Sequence, residues 1–351
     1  MSIFGKSSSG KSPVKKRALL HIGTPKTGTT SIQRSLFSQQ EQLGDIEVPV
    51  GEGGNQHYLA LLYQPYKRLP RGFKSMYADQ EALEKAVGSL HEWFHKKLDA
   101  ASDLVLSSEF LSKFNVQEIT SLKEDLEKSG YVDIRVVVYV RDVSEYYVSS
   151  LQQLLKASHK VSDPSSFKYD FRPIINKFRR VFGDVVQVKK YDRSVLKDEC
   201  VVQDFFSHCC DFFGKNIEGV KSYKDNSGLS LESMYLLKGY REKYHGSDHN
   251  RFKPDSNLLI SLMQDETVNY KRNKPKLLDS VAALLESTHA NDMMWLYKQY
   301  GIDICKKRSK NSVDPAELGE NPSLTDLFGP PDHDVLQDLQ LEVIHRLASS
   351  D

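Results

Sequence analysis

Cysteine is scarce in this chain: four in 351 residues, Cys200, Cys209, Cys210 and Cys305. They are too few and too irregularly spaced for a disulfide framework or a paired CxxC zinc site. Three of them crowd one apolar stretch, the usual setting of reduced, buried thiols. An excess of either charge is also missing. Lys and Arg total 48 against 47 for Asp and Glu, a net charge of +1, which argues against a nucleic-acid binder, since phosphate contacts need a basic surplus. No apolar run approaches the roughly 18 residues of a membrane helix, so no membrane span is expected. Residues 1–17 carry five positive charges, no acid and no apolar stretch. They read as a flexible basic tail and not as a secretory signal. With 39% hydrophobic and 27% charged residues, the remainder has the makings of a folded core, and a cytoplasmic location is the expectation.

What is present is an alternation of apolar strands and amphipathic helices. Ala18–Ile22 (ALLHI), Leu104–Leu106 and Ile134–Val140 (IRVVVYV) read as buried strands, the last almost wholly β-branched or aromatic as in a parallel sheet covered on both faces. Val185–Val188 is a fourth. Helical spacing marks Thr29–Phe37, Gln80–Leu98, Val116–Lys128, Val143 to about Ser158 and Ile174–Val181. Residues Gly44–Lys74, rich in Gly, Pro and Tyr, are expected to be irregular loops. Beyond Gln203 only helical patterns occur: Ser230–Lys243, Leu258–Asn269, Lys276–Glu286, Asn291–Tyr300 and Val335–Ala348. The expected fold is α/β, a three-layer α/β/α arrangement around a central parallel sheet with a helical C-terminal part. The expected divisions are the tail 1–17, a domain 18–305, and a connector with a C-terminal helix at 306–351.

Two glycine-rich segments compete as phosphate sites. Gly5-Lys6-Ser7-Ser8-Ser9-Gly10-Lys11-Ser12 fits the GxxxxGK[ST] pattern letter for letter. No strand precedes it and Pro13 follows, so it lacks the strand-to-helix setting that aims backbone amides at an anion. The second is Thr24-Pro25-Lys26-Thr27-Gly28-Thr29-Thr30, directly between the strand ALLHI and the helix beginning SIQRSLF. Gly28 allows close backbone approach, the amides near Thr27–Thr30 can form an anion nest at the helix N-terminus, and Lys26 adds a mobile positive charge. The plainer reading is a tight turn whose Thr29 or Thr30 caps the helix. Further on, Arg141 ends the clearest strand and Ser149 follows eight residues later, a little over two helical turns on; Ser150 is the alternative if the register shifts by one.

HIGTPKTGTTSIQ resembles the 5′-phosphosulfate loop of sulfotransferases that use 3′-phosphoadenosine 5′-phosphosulfate (PAPS), in which the lysine precedes the glycine, as Lys26 precedes Gly28. VRDVSEYYVSS is similar to that family's 3′-phosphate segment, with Arg141 and Ser149 in the matching places. The resemblance spans about Ala18 to Ser230. It implies a P-loop NTPase-like fold, PAPS as donor with 3′-phosphoadenosine 5′-phosphate (PAP) as product, and no metal. By the same resemblance Pro25, Lys26, Thr27, Gly28, Thr29, Thr30, Arg141 and Ser149 bind the donor. VVQVKKYDRS places Tyr191 near the adenosine, with packing at a strand end equally open. Lys224-Asp225-Asn226-Ser227 is a weaker nucleotide contact.

Sulfuryl transfer needs a cation against the bridging oxygen, for which Lys26 is the candidate, and a base for the acceptor. Glu109, after the strand LVLSS, and His57, in GGNQHYLAL, are the two candidate bases; Glu109 could instead cap a helix and His57 could be a loop contact. His21, inside the first strand, reads as a core histidine. The aromatic and basic residues Tyr58, Tyr63, Tyr66, Lys67, Arg68 and Arg71 suit a groove for a carbohydrate or anionic glycan, and equally a solvated loop with ordinary surface residues. A glycan, a lipid-linked sugar or a small metabolite, in a bacterial cytoplasmic setting, is the acceptor class by analogy alone. The rivals are a nucleoside-triphosphate phosphotransferase, with Asp142 holding Mg²⁺, and a non-catalytic nucleotide-binding scaffold.

Overall fold

The computed structural model describes residues 15–51, 54–223, 228–265, 273–305, 314, 318 and 321–349. The Gly5–Ser12 string and the Lys224–Ser227 turn lie outside these. The chain divides into two compact units: unit 1 is Met1–Tyr139, Pro173–Lys189 and Arg193–Tyr223, and unit 2 is Val140–Arg172, Lys190–Asp192 and Lys224–Asp351.

Unit 1 is organised by a five-stranded parallel sheet in the order β2-β3-β1-β4-β5. Its strands are β1 (Lys16–Ile22), β2 (Ile46–Glu47), β3 (Asp103–Ser108), β4 (Tyr131–Val140) and β5 (Val186–Lys190). All of β3 and the last five residues of β4 are buried, as expected for apolar strands covered on both faces. β1 and β3 run level, Ile22 opposite Ser108, so the segments leaving them, Gly23 onward and Glu109 onward, start side by side. Its helices are α1 (Thr29–Ser38), α2 (Gln40–Leu43), α3 (Tyr58–Tyr63), α4 (Arg71–Lys74), α5 (Gln80–Ala100), α6 (Val116–Lys128), nearly all of α8 (Phe171–Phe182) and α9 (Val201–Phe213), while α7 (Val143–Leu155) belongs to unit 2. α5 and α6 start where a side chain closes the first turn. Asp79 accepts from Ala82 N–H, and Asn115 with Glu118 forms a capping box. α9 packs on β1, where Phe205 meets the buried His21 ring, centroids 5.0 Å apart.

Gly44–Lys74, expected to be irregular, holds β2, α3 and α4. Its apolar run Tyr58–Tyr63 buries every residue but Leu61, and Ala60 and Leu69 join Leu83 of α5 in a core cluster. The run is too short to show a helical period. Tyr58 and Tyr63 are therefore core residues and not groove linings. The Tyr58 hydroxyl donates to Pro49 C=O (3.2 Å), and Arg68 is engaged by Glu118.

The sheet edge has an unusual neighbour. β2 covers only the first two residues of β3. Beyond it the buried Gln56 side chain takes over as a short stand-in strand: Oε1 accepts from Ser107 N–H (2.5 Å), and Nε2 donates to Val105 C=O (3.2 Å) and Pro49 C=O (2.8 Å). Buried backbone groups need such partners.

In unit 2, α7 packs against α10 (Leu231–Tyr244) and α12 (Asp279–Thr288). α11 (Pro254–Gln264) and the C-terminal helix His333–Ala348 pack on α10, burying Leu339 and Val343. α13 (Ala290–Tyr300) follows α12. The Arg241 side chain is fully buried and binds Ala157 C=O (2.9 Å), Arg251 C=O (3.0 Å) and Ser256 Oγ (3.0 Å), tying α10 to the segments around it. None of the four cysteines is in a disulfide, and of the three in the apolar stretch only Cys209 is buried; Cys200 and Cys210 are half-buried. Among the described residues, no helix is long and apolar enough to cross a membrane.

Candidate functional site

The segment between β1 and α1 is wired from within. Thr24 Oγ1 donates to Tyr139 C=O (2.5 Å), and Thr27 Oγ1 (2.7 Å) and Thr29 Oγ1 (3.3 Å) both donate to Thr24 C=O. The buried hydroxyls of Thr24, Thr27 and Thr29 thus fix the loop's shape. What they leave for a ligand is the backbone, Lys26 and the exposed Thr30. Lys26 holds a left-handed backbone, φ 65°, and Gly28 another, φ 76°, a conformation that costs a residue with a Cβ about 1–2 kcal/mol. Two left-handed residues in five reverse the chain tightly enough to turn successive N–H groups inward.

The N-cap of α1 is Gly28, no side chain caps the first turn, and that turn has no acid. Thr29 lies inside the helix with its hydroxyl committed to Thr24, so capping by Thr29 is not what this turn uses. α5, α6, α7 and α10 have a side chain on their first-turn amides, whereas α1, like α9, α11, α12 and α13, has none. A helix start without such a cap presents N–H donors and the positive end of its dipole.

Gly23 holds Glu109 against this loop. Its N–H donates to Ser108 C=O (3.2 Å). A Cβ on it would sit 2.4 Å from Thr29 Cγ2 and 3.0 Å from the Glu109 backbone. The sequence reading missed Gly23; its place directly after an apolar strand was the available signal. Glu109 opens the 3-10 helix Glu109–Lys113, but the cap there is Ser108, whose Oγ accepts from Phe110 N–H (3.3 Å). The Glu109 carboxyl is not spent on capping. Burial raises its pKa above the ordinary value, against the pull of the Lys26 and Lys113 ammonium groups. His57 precedes α3, half-buried, its ring set edge-on to Phe110 with centroids 5.0 Å apart. Burial lowers its pKa, so the neutral form prevails at neutral pH. His57 thus packs on the residue that follows Glu109 in the chain. His21 is fully buried with Nδ1 2.7 Å from Ser107 Oγ; burial pulls it down to about 3, the core histidine expected.

In unit 2, Arg141 follows β4 and lies with its guanidinium 5.2 Å from the Tyr191 ring centroid. The Tyr191 N–H donates to Val140 C=O (2.6 Å), so these two predicted residues are neighbours. Arg141 N–H donates to Tyr169 Oη (3.2 Å), and Nη2 lies 3.0 Å from Glu145 Oε2. Ser149 is half-buried on α7, one turn beyond Glu145 on the same face. The Asp142 carboxylate caps α7 by accepting from Glu145 N–H (2.8 Å).

No family model matches this chain, and no curated protein matches it. A solved structure from the PezAT chromosomal toxin–antitoxin system of Streptococcus pneumoniae aligns with 66% of this chain and 88% of its own, at 18% identity and TM-score 0.32. So low a score carries no argument about function.

Proposed function

We propose that the protein is a PAPS-dependent sulfotransferase. The observation that carries this reading is the β1–α1 loop. It pairs an α1 N-terminus without a side-chain cap with Lys26, itself left-handed and two residues before the left-handed Gly28. The order Lys-Thr-Gly-Thr-Thr is that of phosphosulfate loops and not of nucleoside-triphosphatases. In this proposal the loop amides of Pro25-Lys26-Thr27-Gly28-Thr29-Thr30 take the donor's 5′ end, with Thr27 and Thr29 acting through loop shape and Thr30 by direct contact. Arg141 and Ser149 take the 3′-phosphate, and Tyr191 the adenine side. A 3′-phosphate would then exchange with Glu145 for the Arg141 guanidinium, which suits bidentate binding of phosphate.

An acceptor hydroxyl or amine attacks sulfur in line as the bond to the 5′-phosphate oxygen breaks. Negative charge grows on that oxygen, and the Lys26 ammonium stabilises it most in the transition state. Glu109 or His57 takes the acceptor's proton, a contribution of roughly 10²–10⁴ in rate. The chemistry of these residues requires no metal for the transfer itself.

Thermal unfolding of the full chain with added nucleotide tests the reading. PAP is expected to raise the melting temperature without Mg²⁺, and ATP with Mg²⁺ is not. At a hundredfold excess over Kd the gain is about 2.7 kcal/mol. Stabilisation by ATP with Mg²⁺ and not by PAP would overturn the proposal in favour of a phosphotransferase.

A further inference from the structure

α5 and α6 of unit 1 bring together three metal-ligating side chains that have no part in the donor site. His91 and His95 lie one turn apart on α5 and so share a face; their rings stack with centroids 5.9 Å and planes 17° apart. Asp125 on α6 meets them. His95 Nε2 lies 3.8 Å from Asp125 Oδ2, and one ligand atom from each of the three residues lies within 4.8 Å of the other two. A separation of 3.8 Å is too long for a hydrogen bond. It suits two atoms sharing an ion: ligands held at about 2.0–2.2 Å from zinc lie roughly 3–4 Å from one another.

The surroundings have the form of a metal site's outer layer. The Tyr63 hydroxyl donates to Asp125 Oδ2 at 3.0 Å, orienting the carboxylate as partners of metal ligands do. Lys128 Nζ stands 3.8 Å from Asp125 Oδ1 with its side chain 70% exposed, free to swing into water when a cation arrives. All three ligands are half-buried, rigid enough to converge and open enough to load. The place is remote from the Lys26 loop: α6 returns the chain from the end of β3 to the start of β4, and Asp125 is three residues from its end. In a parallel crossover that is the opposite edge of the sheet.

We propose that His91, His95 and Asp125 bind one divalent transition-metal ion of the zinc class, leaving a coordination position for water. Two imidazoles and one carboxylate favour zinc, nickel or copper over magnesium or calcium, which prefer oxygen donors. Bridging α5 and α6, the ion acts as a clamp on this side of unit 1.

The test is titration calorimetry on the tag-free full chain after chelator treatment, with zinc chloride and, separately, magnesium chloride. One zinc per chain is expected, with no comparable uptake of magnesium. The His91→Gln/His95→Gln double variant should lose that binding, and Tyr63→Phe should weaken it about tenfold through the outer layer. Both histidines are half-exposed, so far-UV circular dichroism should find the variants folded. Absence of zinc uptake, or undiminished affinity in the double variant, would overturn the proposal. Stabilisation by PAP is a separate measurement, so failure of one proposal leaves the other standing.

Discussion

Lys26 occupies a backbone region that glycine fills at no steric cost, and in the proposed reaction its side chain supplies the ammonium. Comparing two substitutions isolates this. Lys26→Ala and Lys26→Gly both remove the ammonium and should both lower turnover a hundredfold or more. The glycine variant should be the more stable of the two by about 1 kcal/mol, read from denaturant midpoints, because only alanine keeps the positive-φ cost. Glu109 and His57 make a second pair. Burial moves the first upward from the usual carboxylate value and the second downward from the usual imidazole value, so the position of the acidic limb of a pH–rate profile cannot tell them apart. Substitution can: the limb should vanish in Glu109→Gln or in His57→Gln, whichever residue takes the proton. Stability gives an independent readout for Glu109. The folded state holds this proton more tightly than the unfolded chain, so the contribution is fully present below about pH 4.5 and is lost as pH rises through the raised pKa. The stability of wild type relative to Glu109→Gln should therefore decline as pH rises above about 4.5, followed by chemical denaturation.

Among the elements, those with a clear period were legible. The run IRVVVYV and the spacing of Leu83, Val87, Leu90, Phe94 and Leu98 announce β4 and α5; the last five residues of β4 and Leu83, Phe94 and Leu98 are buried, and Val87 and Leu90 are half-buried. β2 and α3 were not legible. A two-residue strand has no alternation to detect, and a six-residue helix buried nearly all round has no polar face to contrast with. The work of Gln56 was invisible for another reason: a side chain completing a ladder leaves no mark on local propensity. Gln56→Leu keeps the volume but leaves Ser107 N–H and Val105 C=O without partners, which should cost at least about 1–3 kcal/mol. Amide hydrogen exchange at Ser107 should accelerate well beyond that of Leu20 in β1; equal protection at the two sites would show that the edge reseals without the glutamine.

For the molecule as a whole, the proposed donor loop, Glu109, Arg141 and Tyr191 each follow directly on a strand end, where a parallel sheet displays its loops, whereas Ser149 and His57 do not. The division of the chain was not legible, since each unit is assembled from separate stretches and no composition change marks the crossings. The last stretch is integral to unit 2. Leu339 and Val343 are buried against it, each worth about 1.5–3 kcal/mol. Truncation after residue 305 should therefore cost at least about 3 kcal/mol, measured by thermal or denaturant unfolding, although it removes none of the proposed donor contacts. Interleaving also bears on how the protein is made. β5 lies at residues 186–190 and α9 ends at 213, so a ribosome must deliver well over half of the polypeptide before the first unit has all its parts. At about 5–20 residues per second, β4 therefore waits several seconds with one edge open to stray pairing, and that interval is where a holding chaperone would matter most to the yield of native protein.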